Sequence, residues 1–530
     1  MKGNWFGFDE GSTEFELLET EQGRPQTFAG GWPEQPPAPV QEQGECTSSV
    51  EENEKRLRRE YRADINPDIL LRRFFLGGKL LCLVACINGM ADGEQISDFI
   101  LRQGMRPGCM DAAKEGELAQ YAIDHIFAMQ EAETCTKWSE IKTAISEGRT
   151  AVFIQGDHNA VLMDTRGFER RSVDTAQNEK VIRGPQEGFN ENLRTNVTLL
   201  RRIIKTDDFI CEFRDAGGSN KTRIVIAYRE GVANQGLLQE VKRRLAKVDT
   251  RMVLSDGTLE QLTEAHTLSP IPQVLATERP DRVAAHVMQG HVAVLVEGSP
   301  YANVMPATIF TLMATSEDAY LRQPLGSVLR LVRYVGAALS ILLPGYFLAL
   351  ALYHQGMLST EVVTTLISSR QMVFLPLGAE MLFLLWVFQL LREAGMRVPG
   401  AIGQAIGIIG GLILGQAAVS ANMVSTVVLI IVALTGLGSF TIPDYSSQLA
   451  AGYFRLALVI AAWFGGLLGV FCTTLLLTAW MASMKSFGVP FFAPVAPKTY
   501  SKRPAILRGK VRAHQRAEDY MNTGKGGAGR

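Results

Sequence analysis

The residue in this chain best placed to do chemistry is an acid where acids are costly. Glu380 stands in an apolar run, four residues after Pro376. A charge at the centre of a bilayer costs roughly 2.5–3.5 kcal/mol on insertion scales. Such a carboxylate is protonated, paired inside a helical bundle, or carried by a segment that does not cross; a place on an ion path is a further reading. Downstream, Gly403, Gly407, Gly410, Gly411 and Gly415 fall largely on one side of a helix. That spacing lets helix backbones approach closely in lipid. Ile409, Leu412, Gln416 and Ser420 lie on the opposite face. Ile409 and Leu412 are candidates to close a narrow pore by dewetting, with Gln416 and Ser420 hydrating its mouth. Gln416 is equally suited to bonding a neighbouring helix. The remaining reactive side chains form no constellation. Cys82 and Cys86 share an apolar run with no His pair nearby, which reads as buried thiols. His286 and His291 read as surface residues. No GxxxxGK[ST], strand–GxGxxG–helix, HExxH or GxSxG motif occurs. The expectation is no catalytic residue, no metal ligand, no cofactor and no enzymatic activity.

Two unlike parts carry these residues. Between Tyr334 and Met484 only Glu361, Arg370, Glu380, Arg392, Glu393, Arg397, Asp444 and Arg455 are charged, whereas Lys, Arg, Asp and Glu are dense elsewhere. A soluble surface needs charge and a lipid-facing one excludes it. The expected fold class is therefore an α+β soluble region of two repeated α/β subdomains, followed by a polytopic α-helical membrane bundle. The repeat is explicit. One offset of 142 residues maps Gly89 to Gly231, Gly148 to Gly290, Gly156 to Gly298 and Met163 to Met305 without a gap. In each copy an apolar run of strand character leads through a turn into a helical pattern. The expected organisation is a disordered extension at 1–72, subdomain 1 at 73–183, a linker helix at 184–206, subdomain 2 at 207–333, the membrane domain at 334–484 and a basic cytoplasmic tail at 485–530, loose from 498 onward.

Candidate membrane segments are Val335–Leu352, Met372–Leu391, Gly400–Val419, Met423–Phe440 and Phe454–Met484, measured against about 20 residues per crossing. Arg322, Arg330 and Arg333 before the first, and Lys485 to Arg516 after the last, place both flanks on the cytoplasmic side by the positive-inside rule. Two inside ends need an even number of crossings and five segments do not supply it, so one segment is re-entrant or interfacial, or another span is hidden, with Pro306–Ala314 a candidate extra membrane-contacting element. Seven cysteines in no disulfide spacing suit a reducing compartment. A net charge of -1 gives no sign of nucleic acid.

Gly184-Pro185-Gln186-Glu187-Gly188-Phe189 with Leu193-Arg194-Thr195-Asn196 resembles a motif of the GerA family of spore germination proteins. So do Pro270-Ile271-Pro272-Gln273, Thr277-Glu278-Arg279-Pro280 and Val296-Glu297-Gly298-Ser299-Pro300. In the apolar half, Leu391-Arg392-Glu393-Ala394-Gly395, the run from Ile402 to Gly411, and Ser439-Phe440-Thr441-Ile442-Pro443 extend the likeness over about residues 73–497. The resemblance implies the A subunit of a nutrient germinant receptor, or the related stage V sporulation protein AF, in the inner membrane of a bacterial endospore. It implies a transporter-like B subunit and a lipoprotein C subunit as partners, and a homo-oligomer that conducts cations when nutrient is sensed. A non-conducting scaffold and a secondary transporter are the alternatives. The long N-terminus and basic tail lie outside the family's pattern.

Overall fold

The computed structural model describes residues 44–110, 117–167, 175–218, 220–397, 415–498, 505–509, 519–521 and 523. Its first half is built on two five-stranded antiparallel sheets. Strands β1 (Ile69–Leu76), β2 (Leu80–Ile87), β3 (Ala132–Cys135), β4 (Thr150–Ile154) and β5 (Ala160–Met163) form the first, in the order β1-β2-β4-β5-β3. Strands β6 (Phe209–Ala216), β7 (Thr222–Arg229), β8 (Leu275–Thr277), β9 (Val292–Val296) and β10 (Ala302–Met305) form the second, in the equivalent order. The 142-residue offset survives to the level of register. Val84 faces Val152 as Ile226 faces Val294, and Thr150 faces Met163 as Val292 faces Met305. The paired glycines Gly89 and Gly231, Gly148 and Gly290, and Gly156 and Gly298 all have φ between 77° and 99°. Side chains strain that backbone, which explains why glycine recurs at the offset.

Alternation along the strands divides the first sheet's core into two faces. One holds Val84, Val152 and Val161; the other holds Leu83, Ala85, Phe153 and Leu162, covered by helices α1 (Val50–Glu60) and α2 (Trp138–Ser146). Helix α1 corrects the expectation of disorder through residue 72. Val50, Leu57 and Tyr61 are buried on the sheet, and Ser49 Oγ accepts the Glu52 N–H at 3.4 Å as an N-cap. The segment is highly charged, but burying each of those apolar groups contributes about 1.5–3 kcal/mol. Between the sheets runs α3 (Leu193–Ile203), within the expected linker. Its Arg201 is buried and joins Asp68 and Asn66 of the first unit to the Phe209 carbonyl of the second.

The second sheet carries α4 (Gln235–Ala246) and α5 (Pro280–Met288), and the apolar half follows: α6 (Gln323–Tyr353), α7 (Thr360–Arg370), α8 (Leu377–Arg397), α9 (Thr426–Ser439) and α10 (Tyr445–Ser483). Among the described residues, α6 and α10 are the two helices long and apolar enough to cross a membrane. Helix α8 carries Glu380, Arg392, Glu393 and Arg397, and α9, at 14 residues, is about 21 Å long. Helix α6 begins eleven residues before Tyr334, so Arg330 and Arg333 are helical.

Helix α10 is not one rod. Gly466 has φ 57° and ψ −144°, outside the helical region. A straight helix would hold Phe454 and Trp480 about 39 Å apart, yet their ring centroids are 6.1 Å apart. A Cβ on Gly469 would lie 2.3 Å from the Ala461 carbonyl oxygen. The segments 445–465 and 467–483 are therefore antiparallel arms of a helical hairpin. The sequence reading counted Phe454–Met484 as one segment, and the hairpin corrects that count: nearly all of its turn is apolar, and two adjacent glycines suffice to reverse the chain.

The chain after α10 packs back on the soluble half, and Arg508, Tyr520 and Met521 depart from the looseness expected after residue 498. Phe487, Val489, Phe491, Tyr520 and Met521 are buried against the second sheet's side of the molecule. Arg508 is buried and donates to the Ala319 carbonyl at 2.8 Å and to the Leu321 carbonyl.

Candidate functional site

Glu380 sits in the first turn of α8, which starts directly after Pro376, and its side chain is fully buried. Its Oε1 accepts the Ser425 N–H at 2.5 Å and the Ser425 hydroxyl at 2.7 Å. Ser425 is the N-cap residue of α9, so the carboxylate meets the positive end of that helix. The other oxygen, Oε2, lies 3.4 Å from Arg370 Nε at the end of α7. Glu380 thus joins three helices. Of the readings open for it in sequence, the structure displays a paired carboxylate inside the bundle. Arg370, ten residues upstream, was available in the sequence as its partner.

Of the proposed pore and packing faces, Gly403, Gly407, Ile409, Gly411 and Leu412 lie outside the described residues. Gly415, Gln416 and Ser420 lie in one short helical stretch, with Gln416 and Ser420 exposed on the surface of the single chain. A methyl group on Gly415 would meet Leu429 Cδ2 at an ordinary 3.7 Å. The close approaches fall on glycines that the sequence reading passed over. A Cβ on Gly438 would lie 2.5 Å from the Gly336 carbonyl oxygen, and one on Gly336 2.2 Å from Thr441 Oγ1. One on Gly345 would lie 3.2 Å from the Leu458 carbonyl oxygen. These positions bring α6 against α9 and the first arm of α10.

Sheet and bundle share a core. Phe209, Val225, Leu275 and Val304 of the second sheet cluster with Ala450, Phe454, Met484 and Phe491. Beside them lies an apolar cavity of about 360 Å³, lined by Ile271, Ile309, Ile341, Phe454, Leu477 and Met481 among others. Asp318 locks this junction. It is buried and pairs with Arg330 at 2.8 Å and with Arg333, both on α6. Burial raises its carboxyl, but the two guanidiniums more than offset that and hold it below the ordinary value. Arg333 also donates to the Met313 carbonyl at 2.7 Å.

Elsewhere, burial pushes the Cys82 thiol up to about 12 and the Cys86 thiol up to about 11, so neither is a ready thiolate. His291 is buried, not on the surface as read from sequence; it closes the turn into β9, with Nδ1 3.2 Å from the His286 carbonyl. Burial, with Glu264, Asp444 and Asp256 nearby, raises Glu260 to about 8. Burial likewise raises Glu264 to about 7, although its carboxylate accepts the Gln273 N–H.

Comparison with known proteins agrees with the sequence motifs. A family profile described as Bacillus/Clostridium GerA spore germination protein matches residues 55–520. The chain is 32% identical to spore germination protein GerLA of Bacillus cereus over 459 residues, 86% of this chain and 92% of that protein. It is 33% identical over 430 residues to the uncharacterized membrane protein YfkQ of Bacillus subtilis (strain 168), covering 81% of this chain and 83% of that one. A solved structure, the N-terminal domain of the A subunit of the Bacillus megaterium spore germinant receptor GerK3, is 25% identical with a TM-score of 0.41. It covers 50% of this chain and 98% of its own.

Proposed function

The chain belongs to the GerA spore germination family, and from that premise we propose that it is an A-type subunit of a nutrient germinant receptor, anchored in the spore's inner membrane, whose helices form a cation path when copies assemble. The observation that carries this reading is the shared core of sheet and bundle. Because the second sheet, α6 and both arms of α10 pack as one body, a shift imposed on the soluble half must move the helices. Packed cores switch between discrete arrangements more readily than they deform. Nutrient sensed by a B-type partner, with a lipoprotein C subunit, would bias the two arrangements by binding one more tightly.

Counting the hairpin arms separately turns the five apolar segments into six. That is the even number needed to keep the soluble region and the tail on the cytoplasmic side. Gln416 and Ser420 face outward from the single chain, so a path that they line lies between copies. Glu380 is engaged by Arg370 and Ser425, which weighs against a transporter using it as a substrate ligand. The test is ion flux in liposomes holding this chain with its B- and C-type partners. Nutrient-evoked cation flux supports the reading; assembled complexes that never conduct would make the chain a scaffold.

A further inference from the structure

Among the described residues, Arg455 has no counter-charge. It lies on the first arm of α10, is 5% exposed, and among the described residues makes one long hydrogen bond, 3.4 Å to Ser340 Oγ on α6. A guanidinium has five N–H donors. The charged group near it among the described residues is another cation, Arg392 of α8, whose Nε is buried and has no hydrogen bond there. The acids nearby in sequence are engaged: Glu380 with Arg370 and Ser425, Asp444 with the Ser447 N–H at 2.6 Å, and Glu393, next to Arg392, in an interaction of its own. The segment 398–414 that follows α8 contains no acid.

A buried guanidinium with a second, half-buried cation near it is costly, because desolvation and like-charge repulsion add. Intramembrane charges of this kind mark sites where something neutralises them. Their level in the bundle indicates what. Phe388, one turn before Arg392, stacks edge-on against Phe440 at 6.1 Å, beyond the last residue of α9. Ser340 lies beside Gly438 near the same end of α9. That end adjoins Thr441 and Arg333, the side of the soluble region, where phosphate headgroups lie.

We propose that Arg392 and Arg455 form a binding site for a phosphate-type oxyanion between α6, α8 and α10. The guanidinium fork matches phosphate oxygens in a bidentate fashion, and two forks neutralise one such group. A membrane phosphodiester and free inorganic phosphate present the same oxygens, and the experiment separates them.

The full-length chain, wild type and with R392Q, R455Q or R455K, is put into nanodiscs of phosphatidylcholine with or without phosphatidylglycerol. Retained lipid is counted by native mass spectrometry, and unfolding midpoints are read with and without inorganic phosphate. The wild type retains phosphatidylglycerol, and R392Q and R455Q bind it at least about tenfold more weakly, as loss of a charge-assisted hydrogen bond implies. R455K recovers part of the binding. If inorganic phosphate raises the midpoint and phosphatidylglycerol does not, the site serves the soluble anion. If R455Q does not fold, R392Q, on a half-exposed side chain, carries the test. Equal binding of both anions by wild type and R392Q, or binding of neither by wild type, overturns the proposal.

Discussion

At the residue scale, Glu380 shows how a charge is tolerated in an apolar bundle: it bonds a helix N-terminus and faces a cation. Removing one member of a buried pair leaves the other uncompensated. Glu380→Ala is expected to destabilise the full-length protein by about 3 kcal/mol, with Arg370 partly hydrated. Glu380→Gln, which can still accept from Ser425, should cost less. Unfolding midpoints in detergent check both; equal midpoints for wild type and E380A would mean that the bond is incidental. In the soluble half, Glu260 and Glu264 are raised to about 8 and 7 above the ordinary carboxyl value of 4.5. The folded state holds protons that the unfolded chain releases. Their contribution to stability is therefore complete below about pH 4.5 and lost as pH rises through 7 and 8. A Glu260→Gln, Glu264→Gln double variant should flatten the fall in midpoint between pH 5 and pH 8, and an unchanged slope would assign that fall to other groups. Glu380 was visible in the sequence as an anomaly. Arg455 was not, because an arginine near a helix end ordinarily snorkels to water, and its burial depends on α6 and α8 closing over it.

Between elements, most of the soluble fold was legible. The 142-residue offset marked positions of positive φ, and backbone geometry ties those to register. Helix α1 was missed because its apolar residues Val50 and Leu57, with Tyr61 at its C-cap, are sparse among Glu and Arg, although Ser49 and Glu52 carry an N-cap signature. The α10 hairpin was missed for a different reason. A reversal between apolar arms needs no polar turn, and Gly465-Gly466 was its sole local sign. The φ and ψ of Gly466 lie where only glycine rests without strain. Gly466→Ala should therefore lower the yield of folded protein, also crowding the Tyr353 ring at 3.0 Å. Gly438→Ala, which sets a methyl against the Gly336 backbone, should cost about 1–3 kcal/mol as overpacking. Gly415→Ala has room and should fall within about 0.5 kcal/mol of wild type. If midpoints rank G415A below G438A, the contact between α6 and α9 is not the tight one.

For the whole molecule, topology and coupling belong together. The hairpin arms place Gly465 at the far end of the bundle and Met484 back in the second sheet's core. A cysteine at Gly465, in a chain otherwise lacking cysteine, should react with an impermeant label from the outer side, while one at Lys498 should not. The junction that joins this bundle to the soluble half is Asp318 with Arg330 and Arg333, next to the core shared by Phe454, Phe491 and the second sheet. If that junction transmits the signal, weakening it should spare assembly and abolish the response. The decisive measurement is nutrient-evoked cation flux from liposomes holding the chain with its partner subunits, for wild type and Asp318→Asn side by side. Flux in the wild type, and its loss in D318N with subunits still assembled, is the predicted result; a wild-type complex that stays silent, or a D318N complex that conducts as the wild type does, would contradict the account.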